Sequence, residues 1–264
     1  MGKDEQKVSK IQIAVLLILA ILTLYGFGYI IYQHFDKGYD FGVVDVTKFN
    51  TMSYESVTRE LSETGVDFSI SLGAGYYTVG VHIPEGRYSV SMKSGKAHVI
   101  FDDKENGIYA DGIITGDERV EGYDYIENDM NDIRLYKGAF IRIYTSEQIM
   151  FTTSNAQMPL EYIENPNTES KMFSETFTVG EDIAAGVYDL ECIEGTGDVA
   201  VDWNDTKNIL DGEFDLIGLK ESEIFKNVVL IEGTEVELDK GITVKFVPCE
   251  RIISENYNDF YENY

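Results

Sequence analysis

The chain has 264 residues, 44% of them hydrophobic, with 24 Gly, 4 Pro and a formal charge of −26 at pH 7. That length holds one large or two small domains, and the apolar content is that of a folded protein. The acidic balance, with no basic stripe, excludes a nucleic-acid binder, whose affinity rests on Lys and Arg neutralising phosphates.

Residues 1–10 carry Lys3, Lys7 and Lys10, and IQIAVLLILAILTLYGFGYIIY at 11–32 then runs without a charge. At a rise of about 1.5 Å per residue such a segment spans the hydrocarbon layer, which predicts one N-terminal transmembrane helix. A cleaved signal has a shorter apolar core and small residues at its end; this segment ends Tyr29, Ile30, Ile31, Tyr32 and reads as an uncleaved anchor. Asp36, Asp40 and Asp45 follow it, alongside Lys37 and Lys48. The positive-inside rule therefore puts 1–10 in the cytoplasm and the chain from about residue 33 outside the cell. No cysteine lies nearby to carry a lipid anchor.

Residues 33–65 read as a stalk, in which SYESVTRELSE (53–63) can form a short helix. From there alternation replaces helical spacing, so the ectodomain is expected to be all-β. TVGVHIPEGRYSV at 78–90 returns as TVGEDIAAGVYDL at 178–190, repeating Gly80 as Gly180, Ile83 as Ile183, Gly86 as Gly186 and Tyr88 as Tyr188. RYSVSM (87–92) is answered by VYDLEC (187–192), and AHVIFD (97–102) by GDVAVDW (197–203). Asp111-Gly112 and Asp211-Gly212 read as matching hairpin turns. The offset then slips: IRLYKGAFIRIY (133–144) aligns with VVLIEGTEVELD (228–239), and QIMF (148–151) with TVKF (243–246). Two tandem antiparallel modules follow, at 66–153 and 173–250, with a polar linker at 154–172 and an acidic aromatic tail at 251–264. Each has room for about seven short strands, which predicts a β-sandwich or jelly-roll-like module. In the repeated phrase the two isoleucines plug the core and Gly86 and Gly186 supply a special backbone angle. Each tyrosine ties its corner through the hydroxyl.

VGEDIAAGVY at 179–188, followed some forty residues on by L-x-x-G and alternating apolar positions, resembles the V-G-x-D-I-x-x-G-x-Y β module of extracytoplasmic proteins of Gram-positive bacteria. In the first copy His82 takes the place of the Asp. The resemblance implies an envelope-facing β module of unassigned function and brings no catalytic set.

Cys192 and Cys249 are the two cysteines. Outside the cell an even count permits one disulfide, and each equally suits a small buried apolar position. Of three histidines, His34 abuts the membrane segment, while His82 and His98 become Asp182 and Asp198 in the second copy. Both residue types ligate metals and both are common on surfaces, so no metal site is assigned. Asp102 and Asp103 follow a strand, and Asp117, Glu118, Glu121, Asp124, Glu127 and Asp129 crowd one connection of the first copy. Oxygen-rich loops can hold Ca²⁺, yet without a D-x-D-x-D-G loop these read as solvated. There is no G-x-S-x-G, no C-x-x-C and no phosphate-cradling glycine loop; Gly73 and Gly75 precede a strand and read as a turn. No catalytic residue or cofactor is assigned. Tyr257, Phe260, Tyr261 and Tyr264 in the tail suit a partner-binding peptide, against the competing reading of a frayed terminus. The expected role is non-enzymatic binding or scaffolding at the cell envelope. Carbohydrate or cell-wall recognition is the second reading, and an acid-base hydrolase, which would need two facing carboxylates in a cleft between the modules, stands behind it.

Overall fold

The structure, a computed structural model, describes residues 53–55, 57–117, 126–127, 129–202 and 214–257. The expected tail at 1–10, the segment 11–32, most of the stalk, much of the acidic connection, and Phe260, Tyr261 and Tyr264 lie outside them. Among the described residues no helix is long and apolar enough to cross a membrane, and the regular structure is β throughout.

The first copy comprises β1 (Val66–Leu72), β2 (Gly75–Thr78), β3 (Gly86–Met92), β4 (Lys96–Asp103), β5 (Ile108–Thr115), β6 (Ile126–Glu127), β7 (Asp129–Leu135), β8 (Phe140–Tyr144) and β9 (Ile149–Ala156). One sheet has the order β1-β9-β3-β7, and the other runs β2-β8-β4-β5-β6. Strand β3 shows why they stack: Tyr88, Val90 and Met92 are buried while Arg87 and Ser89 are exposed, so one face meets the core and one meets water. Val99 and Ile141 of one sheet and Phe151 of the other share a single core with Ile83 of the corner between β2 and β3.

After β10 (Ile163–Glu164) in the linker, the second copy adds β11 (Lys171–Phe173), β12 (Phe177–Thr178), β13 (Gly186–Glu194), β14 (Thr196–Asp202), β15 (Phe214–Lys220), β16 (Ile224–Leu230), β17 (Glu235–Leu238) and β18 (Thr243–Pro248). Strand β19 (Arg251–Ile252) then pairs with β10. The orders β11-β18-β13-β16 and β12-β17-β14-β15 repeat those of the first copy, except that β6 has no counterpart among the described residues. Even the irregularities repeat. Asp132 (φ 62) and Asn227 (φ 60) sit at the same bulge, where β7 slips past Tyr88/Val90 and β16 past Tyr188/Leu190.

The modules are joined by more than a linker. Gly75 of β2 pairs in parallel with Lys226 of β16, which fuses the sheets into one of nine strands, β11-β18-β13-β16-β2-β8-β4-β5-β6. Lys226 N donates to Ala74 O (3.1 Å), and the Asn227 amide donates to Tyr76 O (2.8 Å). Tyr76 and Phe140 of the first copy belong to the hydrophobic core of the second.

Three expectations change. The stretch from Ser53 to Glu63 is irregular rather than helical where it is described. Its side chains are held by the first module: Leu61 is buried against Ile108 and Tyr136, and the Arg59 guanidinium forms a two-pronged pair with Glu85. Asp111 and Gly112 lie inside β5, opposite Ile100 and Val99; the hairpin turns instead at Asn106 and Gly107 (φ 64), where the Asp103 carboxylate accepts from Asn106 N. Finally, Gly86 and Gly186 are absent from the positive-φ glycines among the described residues, and tight space is what favours glycine there, more so at Gly186. A Cβ on Gly186 would lie 2.2 Å from the Asn167 amide, and one on Gly86 would lie 3.3 Å from the Tyr88 ring.

Candidate functional site

The repeated phrase is a corner, built identically twice. Gly80 and Gly180 turn at φ 93 and 92, and each donates its N–H to Ile83 O or Ile183 O at 2.7 Å. Ile83 and Ile183 are buried beneath. Tyr88 donates its hydroxyl to Pro84 O at 2.7 Å and Tyr188 to Ala184 O at 2.8 Å. The exchange of His82 for Asp182 preserves the same bond. His82 Nδ1 accepts from Thr78 N, and Asp182 Oδ2 accepts from Thr178 N, each at 2.9 Å. A neutral imidazole with its proton on Nε2 thus replaces a carboxylate as the acceptor. Burial lowers the His82 pKa to about 4, with the neighbouring Arg251 charge adding to the effect.

The thiols of Cys192 and Cys249 are free and buried in separate clusters, Cys192 in the second core and Cys249 with Val187, Val229 and Ile252. Cys192 stands opposite Val244, whereas Cys249 N bonds Val187 O, five residues along β13. At the rise of a strand that separation is on the order of 16 Å, far beyond the Cα spacing of a disulfide. Burial pushes the Cys249 thiol up to about 12, so it stays protonated. Tyr257 packs against the Cys249 cluster, and so the tail begins as part of the fold. His98 bonds Asp111 through Nε2 (2.5 Å) and stacks on Tyr144 (centroids 5.7 Å apart). Among the described residues, no cluster of three or more His, Cys, Asp or Glu is placed to hold a metal ion.

Where the two sandwiches meet, the structure leaves a cleft of about 430 Å³. The first copy contributes Ala74 and the end of β8, Tyr144 to Ser146. From the second come the start of β14 (Thr196 to Asp198), the end of β15 (Gly218 to Lys220), Glu223 and Phe225. Half-buried Tyr144 is its aromatic wall, backed by the buried Phe225 with ring centroids 5.9 Å apart, and Tyr76 packs edge-on against both. Two polar linings are already committed: Thr145 Oγ1 donates to Lys96 O and accepts from Glu147 N, and Glu223 Oε2 accepts from Lys220 N. By contrast, the side chains of Ser146, Thr196, Asp198 and Lys220 make no hydrogen bond or ion pair among the described residues. Asp198 stands directly across from Gly218, which places no side chain over it.

Sequence reasoning missed this site, although its signal was present in the comparison of the two copies. Tyr76, Phe140 and Tyr144 occupy the places of Thr176, Glu235 and Asp239 in the second copy, and Phe225 that of Met130. Tyr76, Phe140 and Tyr144, aromatics on what should be the wet face of the first module's sheet, mark the surface that the second module covers, whereas Phe225 and Met130 are core residues of their own modules.

No protein-family model matches the chain, and no curated protein does. Among solved structures it is distantly similar to the regulatory subunit of a cAMP-independent protein kinase A from Trypanosoma brucei, at 12% identity over 69% of this chain and 73% of that one, with a TM-score of 0.19. The regulatory domain of Toxoplasma gondii PKA with cAMP is similar at 9% identity over 75% and 81% of the respective chains, with a TM-score of 0.17. Likeness at this level shows neither a ligand nor a role.

Proposed function

We propose that the chain is a membrane-anchored extracytoplasmic protein whose fused β modules bind or scaffold at the cell envelope without catalysis. The observation that carries the reading is the junction. Two copies of one module are locked by a shared sheet and core, and the polar groups left over converge on a ligand-sized cleft between them. The uncharged run at 11–32 supplies the anchor, and the sequence resemblance supplies the envelope setting. A hydrolase is the weaker reading because one of the two carboxylates in the cleft, that of Glu223, already accepts the Lys220 N–H.

Full-length protein in detergent micelles, mixed with washed Gram-positive cell envelopes, is expected to sediment with them well above the level of an acidic control protein. In intact cells, protease added outside should remove the β body and leave the N-terminal segment in the membrane. Absence of co-sedimentation would overturn the binding role, and a chain untouched by external protease would overturn the topology.

A further inference from the structure

Taking that binding role as given, we propose that the cleft between the sandwiches is a site for a neutral oligosaccharide. Its volume of about 430 Å³ falls at the small end of ligand sites, with room for roughly two sugar rings. The chemistry of the lining is that of sugar recognition: the half-buried Tyr144 ring, which can meet the C–H face of a sugar, beside polar groups able to exchange hydrogen bonds with hydroxyls. Ser146 and Thr196 offer hydroxyls that donate and accept, Asp198 offers two acceptor oxygens and Lys220 three donors. None of the four is spent on the fold among the described residues. The opposed charges of Asp198 and Lys220 suit a ligand without net charge, and the −26 of the whole chain works against an anion.

A peptide fits less well. Addition of a strand needs an unpaired edge, yet β8, β14 and β16 each have neighbours on both sides. Among the described residues β15 is an edge, but at its cleft end Lys220 N donates to Glu223 Oε2 and Lys220 O accepts from Glu223 N. No ladder is free there. A lipid chain would meet four uncompensated polar side chains, at a cost in desolvation.

Two substitutions separate the site from the fold. Gly218 is exposed, lies outside the left-handed region, and an added Cβ would meet only the Asp198 carboxylate, at 3.3 Å. Gly218→Phe therefore fills the cleft without entering a core, and Asp198→Asn keeps the shape while removing the charge. The test is calorimetric titration of the full-length protein in micelles with maltotriose, cellotriose and the trimer of N-acetylglucosamine. Saturable binding of at least one, with Kd below about 1 mM, is expected. It should weaken at least tenfold in Gly218→Phe and at least threefold in Asp198→Asn, with both variants unfolding as the parent does. If the parent binds none of the three, or Gly218→Phe binds as well as the parent, the proposal fails. Continued sedimentation with envelopes would then show that the broader binding role stands without it, and loss of both would take the two down together.

Discussion

His82 shows how much chemistry can change while a structural task stays fixed. Thr78 N needs an acceptor because its corner is buried, and an imidazole nitrogen serves as well as the carboxylate of Asp182. The imidazole brings a pH dependence of its own. Above pH 6.5 the imidazole is neutral in folded and unfolded chain alike and stability is undiminished. Between pH 6.5 and about 4 the unfolded chain takes up a proton that the folded corner refuses, so stability falls as pH falls, and below about 4 the loss is complete. At pH 5 the loss from this residue amounts to about 2 kcal/mol. His82→Asp, which copies the second module, is expected to abolish that part of the difference between urea midpoints measured at pH 7 and pH 5. Tyr88→Phe leaves the Pro84 carbonyl without its buried donor and should cost about 1–2 kcal/mol in urea denaturation at pH 7, with Tyr188→Phe close behind.

Among the elements, β7 is the instructive strand because it is the counterpart of β16 and sits at the edge of its sheet. Strand β16 satisfies its outer edge by pairing with β2 of the other module. On β7 the strap before the first module does the same work with one side chain. The Tyr54 hydroxyl donates to Asp132 O (3.1 Å) and accepts from Arg134 N (3.0 Å), while the Arg134 guanidinium lies over the Tyr54 ring, 4.4 Å from its centre. An open β edge recruits other chains. Tyr54→Ala is therefore expected to destabilise the protein by about 1–2 kcal/mol through the unpaired edge groups. It should also increase concentration-dependent self-association, read by analytical ultracentrifugation. Unchanged sedimentation would show that the edge is protected by something else. The same segment explains why a helix was expected and not found: its composition permits one, but tertiary contacts of Tyr54, Arg59 and Leu61 outweigh a weak propensity.

For the molecule as a whole, the junction decides whether there are two folding units or one. Gly75 is needed there because a Cβ would lie 2.7 Å from Lys226 O; its counterpart in the second copy, which has no such neighbour to admit, is Glu175. With Tyr76 and Phe140 buried in the other module's core, the body is expected to unfold in a single cooperative transition. Gly75→Glu should drive the sheets apart and split that transition in two, seen by calorimetry. A single transition in the variant would mean that the linker and the shared aromatics suffice. Much of this architecture was legible in the sequence: the alternation gave the strands, and the duplicated corner gave two modules of one topology, because turns and core faces depend on residues close along the chain. The sequence by itself also determined the acidic surface and the uncharged run at 11–32. Tertiary structure alone decided that the modules share a sheet, that Cys192 and Cys249 are too far apart to meet, and that Tyr144 and Phe225 wall a cleft with Asp198. Each of these depends on which sheet edge packs against which, a choice made between residues roughly fifty to one hundred and fifty positions apart in the chain, where no local periodicity reaches.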